Sequence, residues 1–400
     1  SVALKGESFR RIIEEKTAIL DIGGGSIQIS LFDNDTLVST QNLRLGVLRI
    51  QEYVNRFAVR HSHMENFIDE MAMAQLSNYK KLYLKDREIQ NLIVIDDYIS
   101  PWAVRRTGGD SSRAVLDRDS FDVFLNQLRT MSPAQAARTM EIAEEKIPLV
   151  FISGVLTSRI AELMGAKQIC VPGVTLCDGM AYEYAETKNM FRGEHDFEKD
   201  IIACAVNISK RYMGSKKRSE TLENITTTIF AAMKKVHGLD RRELLYLRLA
   251  AILHDCGKYI SMVNIGETSY NIIMATEIIG LSHAEREIVA NIVRFNHSKF
   301  IYYGQLGGAG GLDRDAYLIV AKLTAILRLA SGLDRSHKQK LKGLRAALKE
   351  DQLVLTVDTA EDITLEKGFF EEKGEFFREV FSVEPVLRQR KITQVQMAQK

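Results

Sequence analysis

Hydrophobic positions along the chain follow two rhythms, and the change between them near residue 190 divides the sequence. In TAILDIGGGSIQISLFDNDTLVSTQ, residues 17–41, the rhythm is two-residue. Ala18, Ile19 and Leu20 form a buried run that ends at Asp21. Gly23, Gly24 and Gly25 turn the chain, and Ile27, Ile29 and Leu31 then alternate with Gln28 and Ser30. Asp33, Asn34 and Asp35 supply a second turn before a third strand, Thr36 to Gln41. The pattern predicts a β-meander, followed by a helix carrying Leu48, Ile50, Tyr53, Val54 and Phe57. Three later apolar runs, LIVID (92–96), LVFIS (149–153) and QICV (168–171), are flanked by helical segments and predict buried parallel strands. The second of these leads into a predicted helix at Val155 to Met164, which puts Ser153 and Gly154 at a strand's C-terminal end, where open α/β sheets bind ligands.

Past residue 190 the period becomes helical. FEKDIIACAVNISKRYM, LENITTTIFAAMKKV and RRELLYLRLAAIL carry apolar residues at i, i+3, i+4 and i+7. After Gly332 a basic run leads into LVLTV and FFREVF. The expected division is an α/β region over 1–190, a helical domain over 191–335 and a small α+β domain over 336–400.

Composition narrows the function classes. Of 400 residues, 46% are hydrophobic and 26% charged, an ordinary globular profile that excludes disorder, collagen and a small disulfide scaffold. Five prolines are about a quarter of the usual ~5% usage and favour a helix-rich chain. Lys and Arg number 54 against 52 acids, a net charge of +2, so any site for a polyanion is local. Cys170, Cys177, Cys204 and Cys256 show neither C-x-x-C spacing nor a Cys/His metal grouping. With no signal-like N-terminus and no uninterrupted apolar run of about 20 residues, the expectation is a cytoplasmic protein without a membrane partner.

The candidate chemistry begins at Asp21-Ile22-Gly23-Gly24-Gly25-Ser26. Three glycines remove every Cβ from the turn and permit positive φ, so that backbone N–H groups can converge on phosphate oxygens, with the Ser26 hydroxyl as a further donor. Asp21 at the strand end is positioned to hold Mg²⁺, directly or through water. The turn has no Lys and is followed by strand alternation, so it is neither a P-loop nor a dinucleotide fingerprint. The competing reading is a tight hairpin turn and nothing more.

This segment resembles the second phosphate motif of the actin-like phosphotransferases, specifically the exopolyphosphatase/guanosine pentaphosphate phosphatase (Ppx/GppA) family, whose pattern is close to DIGGGSTE. LRLGVLRIQEY at 43–53 and TLCDGMAYEYA at 175–185 resemble later stretches of that family. LRLAAILHDCGKYI and LTAILRLASGLDRSH resemble its helical HD-type domain. The resemblance implies an RNase H/actin-like mixed sheet, an all-α HD-like domain and a small α+β domain. It further implies an Mg²⁺-dependent hydrolase of inorganic polyphosphate or guanosine pentaphosphate, acting as a homodimer. Asp21 and Gln28 would be its catalytic residues, and Gly23, Gly24, Gly25 and Ser26 would bind phosphate. Two departures stand out. Where the family carries an acid two positions after the motif serine, this chain has Gln28, which cannot act as a base. Only twenty residues precede Asp21, and the chain starts at Ser1, so the expectation is a fragment lacking half of its active site and turning over little or no substrate. A non-catalytic protein that binds polyphosphate or guanosine polyphosphate is the alternative.

In HD-type phosphohydrolases an upstream His, a His-Asp pair and a distant Asp hold a metal. His254, Asp255 and Asp334 match three of the four, and the stretch 219–225 contains no His. Either these residues hold a metal weakly or His254 and Asp255 form a buried structural pair. The lone His61 and His63 suit a solvated helix face. Lys210, Arg211, Lys216, Lys217 and Arg218 form one basic cluster; Arg335, Lys338, Lys340, Lys342 and Arg345 form another. Each is either a phosphate-binding patch, with Lys216, Lys217 and Arg218 the nominated contacts, or a solvated face. Arg105, Arg106 and Arg113 around TGGDSS carry the same two readings. Aromatic interleaving is absent, so no specific nucleic acid is expected.

Overall fold

Alternation over 17–43 folds as a meander because only one register buries Ile27, Ile29 and Leu31 together. In the computed structural model, which describes residues 12–34, 36–106, 115–191, 196–305, 311–341 and 343–390, β1 (Thr17–Ile22), β2 (Ile27–Asp33) and β3 (Thr36–Leu43) are consecutive antiparallel strands. The second face is partly covered as well. Ser30 is buried there and its Oγ lies 3.1 Å from Thr40 Oγ1 across the β2–β3 pair.

The chain continues through α1 (Val47–Arg56), α2 (His61–Tyr79), β4 (Asn91–Asp96), α3 (Ser100–Arg106), β5 (Val115–Asp117), α4 (Arg118–Thr130), α5 (Pro133–Met140), α6 (Ile147–Met164), β6 (Gln168–Cys170) and α7 (Leu176–Thr187). The sheet order is β3-β2-β1-β4-β6-β5, with β1, β4 and β6 parallel and β5 antiparallel at the edge. An antiparallel meander joined to parallel strands is the RNase H/actin-like arrangement. Leu92, Ile93 and Val94 at its centre are fully buried, which is why β4 reads as an unbroken apolar run.

One expected strand is a helix. Residues 149–153 lie inside α6, and Ser153 and Gly154 sit in its interior rather than at a strand end. Pro148 is tolerated in the first turn, and Gly165 ends the helix in the left-handed region at φ +70°. Thirteen of its 18 residues are buried, so no polar face marks the helical period. A Cβ on Gly154 would approach Leu125 Cδ1 at 3.1 Å, so the glycine lets α6 pack closely on α4.

A second compact unit, Phe197–Lys400, follows the first, Ser1–Asp196. It contains α8 (Phe197–Arg211), α9 (Lys216–Ala232), α10 (Arg241–Leu253), α11 (Ile265–Ala275), α12 (His283–His297) and α13 (Arg314–Leu333). After these come β7 (Arg345–Lys349), β8 (Gln352–Asp358), α14 (Thr364–Phe381) and β9 (Glu384–Arg390), forming the sheet β7-β8-β9. α14 is the crossover between the parallel strands β8 and β9. Among the described residues two segments, Glu144–Met164 and Arg314–Leu333, are long and apolar enough to span a membrane by composition; 72% and 61% of their most apolar 18-residue stretches is buried within the protein.

Glu285 ties this unit together. It accepts from the Ser282 N–H at 2.7 Å, closing the cap of α12, and from Arg242 Nε at 2.7 Å and Tyr246 OH at 2.6 Å on α10. Partial burial alone would raise its pKa, but Arg242, Tyr246 and the cap outweigh it and hold it at about 2. Its folded value therefore lies below its unfolded one, so the stability it contributes is present above pH ~4.5 and is lost as pH falls toward 2. Glu285→Gln is expected to lower the unfolding free energy by about 1–2 kcal/mol at pH 6, with the gap from wild type closing between pH 5 and pH 2 in urea titrations. A gap that does not vary with pH would remove the charge from the explanation.

Candidate phosphate site and HD-like centre

The glycine turn is held from one side only. Gly23 N–H donates to Ser26 O at 3.0 Å and closes the turn. Carbonyls of the turn face the start of α1: Val47 N–H donates to Gly23 O at 3.0 Å and Arg49 N–H to Gly24 O at 3.1 Å, while Arg49 Nε donates to Gly25 O at 2.9 Å. Two of the first three N–H groups of α1, those of Val47 and Arg49, are thereby consumed. With the carbonyls turned toward α1, the N–H groups of Gly24, Gly25 and Ser26 donate to no acceptor among the described residues. They are the donors available to an anion.

The glycines are required for space rather than for backbone angle. None of Gly23, Gly24 and Gly25 has a left-handed φ, contrary to the sequence expectation. A Cβ at Gly24 would meet Leu48 Cδ1 at 2.8 Å. The tightest position is Gly46, just before α1, where a Cβ would lie 2.2 Å from Gly24 O and from Gly25 C and 2.3 Å from Ser26 N. Sequence reading singled out the three consecutive glycines and missed the one they press against.

Asp21 stands opposite Gln28 in the β1–β2 register and beside Ile95 of β4, so the C-terminal ends of β1 and β4 bring Asp21, Asp96 and Asp97 to one edge. Asp21 is solvent-accessible, yet its pKa is raised, by partial desolvation first and then by Asp97 and Asp96. Asp96 is buried and fully engaged: it accepts from Ile99 N–H at 2.9 Å and Ser100 N–H at 3.0 Å, which open α3, and from Ser153 Oγ at 2.5 Å on α6. Burial raises its pKa and these donors partly offset that. Ser153, expected at a strand end as a ligand contact, is thus a buried support for this acid. Asp21 and Asp97, which act on each other electrostatically, are the carboxylates that could hold Mg²⁺, a hard cation that takes one or two protein carboxylates and keeps its waters.

In the second unit His254 ends α10 and is fully buried. Its Nδ1–H donates to Ala251 O at 2.8 Å, leaving Nε2 3.5 Å from Asp255 Oδ2. Burial lowers the His254 pKa, so the ring is neutral. Burial alone would raise that of Asp255, but the Lys258 and Arg218 cations pull it down. His297, the last residue of α12, donates from Nε2 to His254 O at 2.6 Å. Asp334 follows α13 and is 2% exposed, its Oδ1 accepting from Gln339 N–H at 3.0 Å.

Residues 203–373, which run from α8 into α14, match the family model described as Ppx/GppA phosphatase, domain III. These residues belong to the Ppx/GppA family. Among solved structures, the Aquifex aeolicus Ppx/GppA family member is similar at 12% identity over 47% of this chain and 62% of its own, with a TM-score of 0.39. An exopolyphosphatase from Cytophaga hutchinsonii is similar at 17% identity over 43% of this chain and 58% of its own, with a TM-score of 0.35. The chain spans about three fifths of the length of these structures. No curated protein matches it.

Within the Ppx/GppA domain III the nominated basic contacts separate. Lys216 and Lys217 are exposed on α9, Lys216 lying 3.7 Å from Glu220, whereas Arg218 is 5% exposed and points inward. In the second cluster Lys340 bridges to the buried Glu366 at 3.0 Å, Arg345 to Asp358 at 2.8 Å, and Arg335 lies over the Phe369 ring at 4.4 Å. Lys342 falls outside the described residues, as do Arg113 and the TGGDSS stretch. Arg105 is engaged by Met140 O at 2.6 Å and Glu141, and His63 is exposed, as a solvated face requires.

Proposed function

We propose that this chain works in phosphoryl hydrolysis of the exopolyphosphatase type, on inorganic polyphosphate or guanosine pentaphosphate. The observation that carries the reading is the glycine turn, whose carbonyls are committed to α1 while three consecutive N–H groups beside Asp21 remain free to bind phosphate oxygens. The N–H groups of Gly24, Gly25 and Ser26, with the Ser26 hydroxyl, would grip the terminal phosphoryl group. Asp21, with Asp97 beside it, would hold Mg²⁺, which supplies positive charge against the phosphate oxygens. Gln28, opposite Asp21, can orient a water through its carboxamide but cannot take its proton.

That last point favours a second reading, a protein that binds the polyanion without cleaving it. Gln28→Glu separates the two when phosphate release from polyphosphate is followed with Mg²⁺ present. A hydrolase missing its base should gain at least about 10-fold, the lower range of general-base contributions. Retention of polyphosphate with no release from either variant would establish the binding protein. Failure of both variants to bind polyphosphate would overturn the proposal.

A further inference from the structure

An HD-type metal centre is what the resemblance implies for His254, Asp255 and Asp334, and the residues present do not form one. Among the described residues no three His, Cys, Asp or Glu side chains are grouped to hold a metal ion. The three nevertheless leave buried acceptors with no hydrogen-bond partner: His254 Nε2, Asp255 Oδ1 and Asp334 Oδ2. Two carboxylates and a neutral imidazole, all acceptors and all withdrawn from water, call for a positive charge among them.

That charge comes from α9. Arg218 is turned away from its solvent-facing neighbours Lys216 and Lys217, is 5% exposed, and acts electrostatically on both Asp255 and Asp334 without a direct ion pair to either. It lies one residue before the stretch 219–225, where the resemblance places the absent histidine. Its Nη1 meets the His337 ring, 3.1 Å from Nδ1, while its Nε, also buried, has no partner. Lys258 adds a second cation 3.4 Å from Asp255 Oδ2. The segment after α13 closes over the group with His337 at φ +58° and Gln339 at φ +48°, two side-chain-bearing residues in the left-handed region, a conformation that persists only where surrounding contacts fix it.

We infer that Arg218 is the resident cation of this centre, its guanidinium standing where an HD-type protein holds a divalent metal. The constellation is then a permanently charged structural core, and its role is charge compensation rather than hydrolysis. Arginine suits the role because it stays protonated when buried and spreads its charge over a planar fork that can face two carboxylates.

The test is metal binding by the whole chain, titrated with Mn²⁺ and Zn²⁺ by calorimetry and checked by elemental analysis. Wild type is expected to show no stoichiometric site that His254→Ala abolishes; a His254-dependent site of one metal per chain would overturn the inference. Arg218→His removes the cation and adds a fourth donor, so it is expected to acquire one metal per chain and a higher Tm on metal addition. A folded Arg218→His that takes up no metal would also overturn it. A thermal cycle stands apart from metal uptake: Arg218→Met should lower Tm by about 10 °C, and adding Asp334→Asn should recover at least about half of that. Additive losses would show that Arg218 does not serve as counter-charge.

Discussion

Gly46→Ala is expected to disable the phosphate turn from outside it. The added Cβ would lie 2.2–2.3 Å from three backbone atoms of residues 24–26, and no rotamer can relieve a collision with backbone. Either α1 retreats, breaking the bonds from Val47 and Arg49 to the turn carbonyls, or the turn rotates and its free N–H groups lose their common direction. Overpacking at a rigid site costs about 1–3 kcal/mol, and the lost bonds add to it, so a destabilisation of about 2–4 kcal/mol should appear in urea unfolding. Polyphosphate affinity should fall by at least about 100-fold, the equivalent of roughly 3 kcal/mol. Gly25→Ala is the control for the unfolding measurement alone, because a Cβ there meets nothing within 4 Å and its φ is not left-handed. If Gly46→Ala binds and unfolds like wild type, the turn is not set by its contact with α1.

Asp21→Ala should separate function from stability. The Asp21 pKa is raised in the folded protein, by desolvation and then by Asp97 and Asp96, so ionising it works against the fold. That penalty sets in as pH rises above the unfolded value near 3.8 and is complete above the raised folded value. At pH 7 the alanine variant is therefore expected to unfold at the same urea concentration as wild type or a higher one. Mg²⁺-dependent binding of polyphosphate, and any phosphate release, should drop by about 100-fold or more, since the variant removes the charge that organises the site. A structural aspartate would give the reverse pattern, with lost stability and intact binding, and that result would end its functional assignment.

Much of this was legible along the chain because short-range periodicity dictated it. The meander, β4 and β6 carry either clean alternation or β-branched apolar runs bounded by turn residues. α6 was not legible as a helix, because burial on nearly every side erases the polar face that betrays the period, and IPLVFIS suits a central strand equally well. Gly46 was hidden for a different reason: its constraint is a backbone approach across some twenty residues, which no local pattern records. Arg218 left a trace. It continues the buried stripe of Leu222, Ile225 and Ile229 one turn toward the N-terminus, so helical spacing assigns it to the interior even though Lys216 and Lys217 suggest a basic patch. Reading the run as one patch overlooked that adjacent residues on a helix point about 100° apart.

A guanidinium tethered to the backbone has no dissociation constant. A centre built around Arg218 needs no loading step after synthesis, is indifferent to chelators, and contributes the same stability in metal-poor and metal-rich surroundings. Its occupancy is written in the gene and can be changed only by mutation.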